Sequence, residues 1–283
     1  MNPIVSIIAQ GAMGTATAAR LVEHGVEVHT SLAGRSAASA ERAAKAGMKA
    51  VDEDELVRAD FVLSIVPPAE AVPLAERLSP ALTRAARKPV YVDLNAINPV
   101  TAAEVAEAIE ATGARFVDGG IIGGPPRAGY DGPTYYVSGP DAKAVETLAA
   151  FGLKIKALVG PVGAASALKM SYAGITKGLV CLGSSMILAA QRAGVADALF
   201  QELSASQAAL LAGFSRSVPD MFPKAGRWVA EMREISAFVA PNQAERDIYS
   251  AFAEFYERIG RDFSAGKAET SRLRDFFPSE AKR

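Results

Sequence analysis

Short apolar runs alternate with longer amphipathic stretches over the first 160 residues of the chain. The runs are rich in valine, isoleucine and phenylalanine, which favours strands, whereas the apolar positions between them recur with helical spacing. This alternation predicts an α/β fold with a doubly wound, mostly parallel sheet. The predicted strands are residues 4–9, 26–31, 49–51, 61–66, 90–93 and 115–118, with two more inside 129–138 and 151–159.

The pattern changes after residue 163 and becomes helical throughout. The next thirty residues or so contain no proline and end before Gly194, which predicts one long helix followed only by further helices. The last segment is polar and charged, so we expect a loosely attached tail that Phe276 and Phe277 anchor. The expected helices are residues 164–193, 195–212, 223–239 and 243–259. The expected domains are 1–163 (doubly wound), 164–260 (all-α) and a polar tail at 261–283.

Composition and charge restrict the possible partners. The chain has 30 basic and 31 acidic residues and a net charge of −1, which disfavours electrostatic binding of nucleic acid or an anionic membrane. The apolar part of the long helix, between Lys177 and Arg192, is shorter than the ~20 residues of a membrane span. The N-terminal apolar run lacks the basic flank of a signal peptide, so we expect a cytoplasmic protein. Cys181 is the only cysteine, and we expect no metal site.

A glycine turn joins the first predicted strand to the first helix. Gly11, Ala12, Met13 and Gly14 form this turn, and Ala9 stands where the usual first glycine would be. Small residues here let a pyrophosphate approach the backbone, and the free N–H groups of the helix start face the anion. The turn predicts a dinucleotide-binding domain of the Rossmann type. An ordinary strand–helix turn is the alternative interpretation.

The loop after the second strand indicates which nicotinamide dinucleotide is bound. No carboxylate lies between Glu27 and Glu41, although an NAD enzyme usually places one there for the ribose 2′-hydroxyl. Arg35 and Ser36, with Ser39, instead offer a guanidinium and hydroxyls to a 2′-phosphate. We therefore predict NADP as the cofactor. The alternative is that Arg35 is a solvated loop residue and that Ser36 only caps the next helix.

Three further segments carry candidate chemistry. Val66 and Pro67 close the fourth strand beside the expected cofactor crevice. Residues 118–125 follow a strand and would offer backbone N–H groups to a carboxylate. Lys169 lies near the start of the long helix, where it could donate a proton to a carbonyl oxygen or remove one from a hydroxyl. A solvated helix lysine is the alternative for Lys169.

The motifs together resemble the β-hydroxyacid dehydrogenase superfamily, which includes 3-hydroxyisobutyrate dehydrogenase, 6-phosphogluconate dehydrogenase and the imine reductases. The resemblance rests on the glycine turn, on residues 34–36, 92–96, 118–124 and 134–139, and on residues 160–163 leading to Lys169. It implies a 6-phosphogluconate dehydrogenase-like fold in which a long helix joins the Rossmann domain to an all-α domain. It implies that Lys169 is the general acid/base, that Gly123 and Gly124 hold substrate, and that Asn95 contacts the cofactor.

The departures from the family pattern matter for the substrate. Ile122 replaces a serine and Tyr172 replaces an asparagine, so the substrate should be bulkier or less polar than a small hydroxy acid. Tyr172 is a second candidate for proton donation. In the C-terminal half, Lys224 or Arg227 would pair with an anion and Trp228 would cover an apolar group. A surface charge and a core tryptophan are the alternatives there.

The sequence therefore predicts an NADP(H)-dependent oxidoreductase acting on a small 3-hydroxy acid or a related carbonyl compound. The alternatives are an imine-reductase-like enzyme and a non-catalytic nucleotide-binding protein; the family's imine reductases usually carry Asp or Tyr in place of the lysine. The long helix has more apolar surface than the following helices would cover, so we expect a homodimer through the helical domain.

Overall fold

A computed structural model describes residues 2–126, 129–130 and 132–277 of the chain. The chain divides into two compact units, Met1–Met170 and Ser171–Arg283. The division lies inside the long helix, several residues after the boundary that the sequence suggested at 163/164.

The first unit is built on one sheet, which contains eight strands in the described part of the chain. The strands are β1 (Ile4–Ile8), β2 (Glu27–Thr30), β3 (Lys49–Ala50), β4 (Phe61–Ser64), β5 (Val90–Asp93), β6 (Arg115–Ile122), β7 (Thr134–Ser138) and β8 (Lys154–Ala157). Their order is β3-β2-β1-β4-β5-β6-β7-β8, and only the β6–β7 pair is antiparallel. The order reverses between β1 and β4, which places a ligand crevice at their carboxyl ends. The predicted doubly wound fold is confirmed.

Helices cover both faces of this sheet. They are α1 (Ala12–Glu23), α2 (Ala37–Lys45), α3 (Glu53–Leu56), α4 (Ala71–Arg84), α5 (Pro99–Glu110) and α6 (Ala142–Val145). Two clusters of buried apolar side chains result, one on each face. The neighbouring residues Ile7 and Ile8 belong to different clusters, because successive side chains of a strand point to opposite faces.

The last predicted strand is shorter than expected. A 3₁₀ segment, Glu146–Phe151, precedes it, and Gly152 adopts a left-handed conformation with φ of 85°. Glycine accepts this conformation without steric cost, so the chain turns there before β8 begins at Lys154.

The second unit is all-helical in its described residues, as predicted. The long helix α7 (Ala164–Arg192) enters it, followed by α8 (Ala196–Ser206), α9 (Ala208–Met221), α10 (Ala225–Val239), α11 (Gln243–Ser264) and α12 (Ala268–Asp275). The single helix expected at 195–212 is wrong, because the backbone leaves helical geometry at Gln207, with φ of −137°.

The polar tail expected from residue 261 is corrected for the residues that the structure describes. Helix α11 continues to Ser264, and α12 packs with Leu273 fully buried. The carboxylate of Asp262 accepts hydrogen bonds from the backbone N–H groups of Glu269 and Thr270, at 3.1 and 2.8 Å, which fixes the start of α12. The segment is amphipathic rather than merely polar. Residues 278–283 lie outside the described residues.

The apolar part of helix α7 is longer than the sequence estimate allowed. Among the described residues α7 is the one helix whose length and composition would suffice to cross a membrane: it has 29 residues, and an 18-residue apolar window of it has a mean hydropathy of 1.5. The estimate that its apolar stretch is too short is therefore wrong. Half of the apolar window is buried inside the protein, and core helices of globular proteins meet the same criteria.

A buried carboxylate fixes the start of α7 in the first unit. Asp118 is fully buried on β6, and its Oδ2 accepts hydrogen bonds from Ser138 Oγ at 2.8 Å and from the N–H groups of Gly163, Ala165 and Ser166 at 2.9–3.1 Å. Its Oδ1 accepts the hydroxyl of Ser166 at 2.5 Å. The carboxylate thus caps the free N–H groups at the helix start and matches the positive end of the helix dipole.

Replacing this carboxylate should destabilise the first unit. In Asp118→Asn the amide nitrogen must face one set of donors, so we expect a loss of about 3 kcal/mol in unfolding free energy. Ser138→Ala, which removes one donor, should cost about 1 kcal/mol. Urea unfolding followed by circular dichroism measures both. An Asp118→Asn midpoint equal to the wild-type midpoint would contradict this assignment.

Candidate functional site

The glycine turn at the end of β1 leaves an open helix start. Gly11 is the N-cap of α1, makes no side-chain cap, and a Cβ added to it would meet no atom within 4 Å. Ala12 and Met13 begin the helix. A Cβ at Gly14 would lie 2.0 Å from the carbonyl oxygen of Ala9, so only glycine allows this packing. The close approach and the open N–H groups fit a dinucleotide pyrophosphate.

A cationic loop follows β2. Ser36 Oγ accepts the N–H of Ser39 at 3.3 Å and caps α2, as the alternative interpretation supposed. Arg35 is exposed, and no carboxylate pairs with it in the described part of the chain. A second arginine, Arg42, is not among the residues expected from the sequence. Its Nη2 donates to Ser39 Oγ at 2.9 Å, and its Nε donates to the carbonyl of Gln10 at 2.8 Å. The sequence signal for Arg42 is its position three residues after Ser39, which places both side chains on one face of a helix.

Gln10 connects this loop to the glycine turn. The side chain is buried, and its Nε2 donates to Thr30 Oγ1 at 2.6 Å and to the carbonyl of Ser31 at 2.9 Å. Because Arg42 binds the Gln10 carbonyl as well, the ends of β1 and β2 are fixed relative to each other. The two parts of the expected dinucleotide site are therefore positioned by one residue.

Asn95 supports the loop after β4. Its Oδ1 accepts the N–H of Val66 at 2.6 Å, and its Nδ2 donates to Ser64 Oγ and Asp93 Oδ2, both at 2.8 Å. Burial raises the pKa of the Asp93 carboxyl to about 7, although the hydrogen bonds from Asn95 oppose this shift. The Asn95 amide is thus engaged inside the unit and shapes the loop that ends in exposed Pro67.

The carboxylate-binding loop expected at residues 118–125 is shorter than predicted. Residues 118–122 belong to β6 and pair with β7, so Asp118 is a structural cap and half-buried Ile122 lies opposite Thr134. Gly123 has φ of +125°, and a Cβ there would lie 2.7 Å from Tyr130 Oη. Gly124 is exposed, with nothing within 4 Å of an added Cβ. These two glycines remain as candidates for substrate contact.

Lys169 is anchored at the end of β6. Its Nζ donates to the carbonyl of Ile121 at 2.9 Å, and its side chain is half-buried. A Cβ added to Gly120 would lie 2.8 Å from Lys169 Cβ, so this glycine lets α7 lie directly on the strand. The ammonium group is therefore fixed at Ile121, which precedes Gly123 by two positions in the sequence. Tyr172 follows on the same helix, and its side chain is 49% exposed.

The three candidates near the start of α10 differ in their contacts. Lys224 Nζ lies 2.6 Å from both carboxylate oxygens of the aspartate four residues before it. Trp228 packs edge-on against Tyr256 with ring centroids 5.2 Å apart, and Lys177 Nζ lies 5.0 Å from its ring centroid. Arg227 is exposed and has no carboxylate partner among the described residues. Lys224 and Trp228 are thus engaged within the unit, as the alternative interpretations supposed.

The described residues contain few clustered metal-ligating side chains. In residues 2–126, 129–130 and 132–277, no group of three or more His, Cys, Asp or Glu side chains has the arrangement of a metal site. Cys181 is buried, and burial raises the pKa of its thiol to about 12.

The family follows from comparison with known proteins. Residues 4–159 match the model described as the NAD binding domain of 6-phosphogluconate dehydrogenase, which covers more than half of the chain. The chain belongs to this family. Residues 190–259 match a second model, a domain of unknown function called DUF1932.

Solved structures of similar fold span nearly the whole chain. The conserved protein MTH1747, of unknown function and described as similar to 3-hydroxyacid dehydrogenases, is 27% identical with a TM-score of 0.70, over 95% of this chain and 98% of that one. Mycobacterium tuberculosis 3-hydroxyisobutyrate dehydrogenase with L-serine is 19% identical with a TM-score of 0.71, over 94% and 98%. An imine reductase variant from Myxococcus stipitatus with NAD+ is 20% identical with a TM-score of 0.60, over 98% and 99%.

The family match and the geometry agree on a nucleotide-binding first unit. The chain has an NAD(P)-binding, 3-hydroxyacid dehydrogenase-like fold, and its structural neighbours include dehydrogenases and imine reductases. The neighbours below 25% identity establish the fold and no more.

Proposed function

We propose that the chain is an NADP(H)-dependent oxidoreductase that transfers a hydride between the nicotinamide and a small 3-hydroxy acid or related carbonyl compound. The observation that carries this proposal is the position of Lys169. Its ammonium group is fixed at the end of β6 by the Ile121 carbonyl, within the unit that contains the open glycine turn.

The cofactor part of the proposal rests on backbone and cationic groups. The N–H groups at the start of α1, from Gly11 to Gly14, would hold the pyrophosphate, and Arg35 would bind the 2′-phosphate with Ser36 beside it. Arg42 adds a second guanidinium near Ser39. When bound, the cofactor supplies or accepts the hydride.

The acid/base part assigns the proton to Lys169. An ammonium group has three N–H donors, and the Ile121 carbonyl accepts one of them. A remaining N–H would donate to the carbonyl oxygen of the substrate in reduction, and the neutral amine would take the hydroxyl proton in oxidation. The backbone of Gly123 and Gly124 would orient the substrate carboxylate. Ile122 and Tyr172 favour a substrate that is less polar than those typical of the family.

Removing the lysine should abolish most of the turnover. Lys169→Met deletes a positioned general acid, so kcat should fall by about 10² to 10⁴-fold. The NADPH dissociation constant should not change, because the glycine turn is untouched. The measurement uses 3-hydroxyisobutyrate and related 3-hydroxy acids with NADP+, and their aldehydes or ketones with NADPH, followed by NADPH absorbance.

The matched control is Lys143→Met, which removes an exposed lysine of α6 and should retain full turnover. Wild-type turnover in Lys169→Met would favour the alternative that Lys169 is a solvated helix lysine without a catalytic role. NADPH binding with no turnover of any compound by the wild type would favour the non-catalytic alternative. Turnover confined to imines would favour the imine-reductase-like alternative.

The choice of cofactor gives a separate test. If Arg35 binds the 2′-phosphate, NADPH should bind at least about tenfold more tightly than NADH, a difference of about 1.4 kcal/mol. Arg35→Ala should remove most of this ratio by weakening NADPH alone, as calorimetric titration would show. Arg58→Ala, which removes an exposed arginine of the same unit, is the control. Equal affinities for the two cofactors in the wild type would overturn the assignment of NADP.

We also propose a homodimer through the helical unit. The observation that favours it is a row of exposed large apolar side chains on α7 at alternating spacings of three and four residues. The row is Tyr172, Ile175, Leu179, Leu182 and Met186, with exposed fractions between 44 and 64%. This spacing forms one stripe along a helix, and such stripes pack against a second helix.

A charge placed in the stripe should separate the two chains. Leu182→Glu should convert a particle of twice the chain mass into a monomer in light scattering at low micromolar concentration. Ile248→Glu introduces the same charge at a similarly exposed apolar position of α11 and should leave the dimer intact. A wild-type protein that is already monomeric would rule the dimer out.

A further inference from the structure

A cleft of about 720 Å³ lies inside the helical unit, between the start of α10 and the end of α11. Three arginine side chains line it, together with an apolar floor. The arginines are Arg227, Arg233 and Arg261, and the floor includes Phe222, Val229 and Phe263. We call this the arginine cleft.

Two glycines bring the walls of the arginine cleft close together. A Cβ added to Gly260 would lie 3.1 Å from the backbone nitrogen of Gly226, so α10 and α11 nearly touch at this point. On α10 the lining residues Gly226, Val229 and Arg233 have the spacing of one helix face, and on α11 Glu257, Gly260 and Ser264 do the same.

The charge of the arginine cleft is unbalanced. Arg261 Nη2 lies 2.7 Å from the Oε1 of Glu257, which is the only carboxylate among the lining residues. Within the described part of the chain, neither Arg227 nor Arg233 has a carboxylate partner. Two guanidinium groups therefore remain without a counter-charge.

Three carboxylates near the cleft are engaged elsewhere. Glu231, one turn after Arg227 on α10, pairs with Lys177. The aspartate before α10 pairs with Lys224, and Asp262 accepts the N–H groups at the start of α12. These contacts leave the two arginines available to an external anion.

Two further cationic side chains lie beside the aromatic rings of the floor. The guanidinium carbon of Arg274 lies 5.7 Å from the ring centroid of Phe222, and Lys267 Nζ lies 5.4 Å from that of Phe263. The rings thus offer an apolar contact surface with cations close by. A ligand with an anionic head and a small apolar body would match both features.

We propose that the arginine cleft binds a phosphate monoester with a small apolar body. A phosphate monoester carries nearly two negative charges at neutral pH, which matches the two unpaired guanidinium groups. Its three terminal oxygens accept bonds from arginine forks in several directions, whereas a single fork satisfies a carboxylate. The volume lies within the ~300–1,000 Å³ of small-molecule sites. The proposal is independent of the proposed reductase activity.

Calorimetric titration of the full-length protein with phenyl phosphate tests the proposal. We expect saturable binding that Arg227→Gln/Arg233→Gln weakens at least about tenfold, because charge-assisted hydrogen bonds are lost. The control is Arg216→Gln, which removes an exposed arginine of α9 outside the cleft and should not change the affinity. Circular dichroism melting verifies that the variants are folded, since both cleft arginines are exposed.

Three companion probes make the result specific. Inorganic phosphate should bind more weakly than phenyl phosphate because it lacks the apolar body, and benzoate should bind more weakly because it carries one charge. Arg227→Lys/Arg233→Lys, which keeps the charge but loses the forks, should have intermediate affinity. Saturating NADPH should leave phenyl phosphate binding unchanged.

Several results would overturn the proposal. They are no heat of binding in the wild type, equal affinity in the double glutamine variant, and loss of binding when NADPH is present, which would place phenyl phosphate in the dinucleotide site. If benzoate bound as tightly as phenyl phosphate, the ligand class of the cleft would be a carboxylate and not a phosphate ester. None of these results depends on turnover, so the binding test and the test of the reductase proposal have separate outcomes.

Discussion

The capping of α7 by the Asp118 carboxylate is the interaction on which the candidate site of the first unit depends. The carboxylate lies fully buried on β6 and accepts hydrogen bonds from the N–H groups of Gly163, Ala165 and Ser166, which holds the helix start against the strand. Lys169 is one turn further along that helix and returns to β6 through the Ile121 carbonyl. Gly120 lies between the two contacts and allows the approach. The buried Asp118 carboxylate thus helps to fix the position of the partly exposed Lys169 ammonium group.

Whether a polar group has a hydrogen-bond partner inside the protein also separates structural from functional candidates in the first unit. Buried polar side chains such as Gln10 and Asn95 have their hydrogen bonds satisfied inside the protein, as burial requires. The Arg35 side chain and the backbone N–H of Gly11 have no internal partners in the described part of the chain. Groups without internal partners are the ones available to a ligand. This distinction favours the glycine turn and Arg35 over Asn95 as direct cofactor contacts.

Periodicity predicted the architecture because the central strands β1, β4 and β5 are short runs of buried, mostly apolar residues. It failed where tertiary contacts decide, as in the break at Gln207 and in α12, whose few buried residues sit in a polar segment. The site was predictable where backbone chemistry determines it, as at Gly11 and Gly14. The sequence ends the predicted strand at Asp118 because the glycines that follow resemble a turn, whereas pairing with β7 extends this strand to Ile122. Arg42 was missed because nothing in the local sequence reveals its contact with Gln10.

The helical unit shows why overall charge is a poor guide to binding. The net charge of −1 is close to zero, yet Arg227 and Arg233 lie beside one cleft without carboxylate partners in the described residues. Dissolved salt screens exposed charges over a Debye length of about 8 Å at physiological ionic strength, so distant carboxylates do little to neutralise this local excess. Lys224 and Trp228, adjacent in sequence to Arg227, are instead occupied by intramolecular contacts. Of the three candidates near the start of α10, Arg227 is therefore the one without a partner in the described residues and available to bind a ligand.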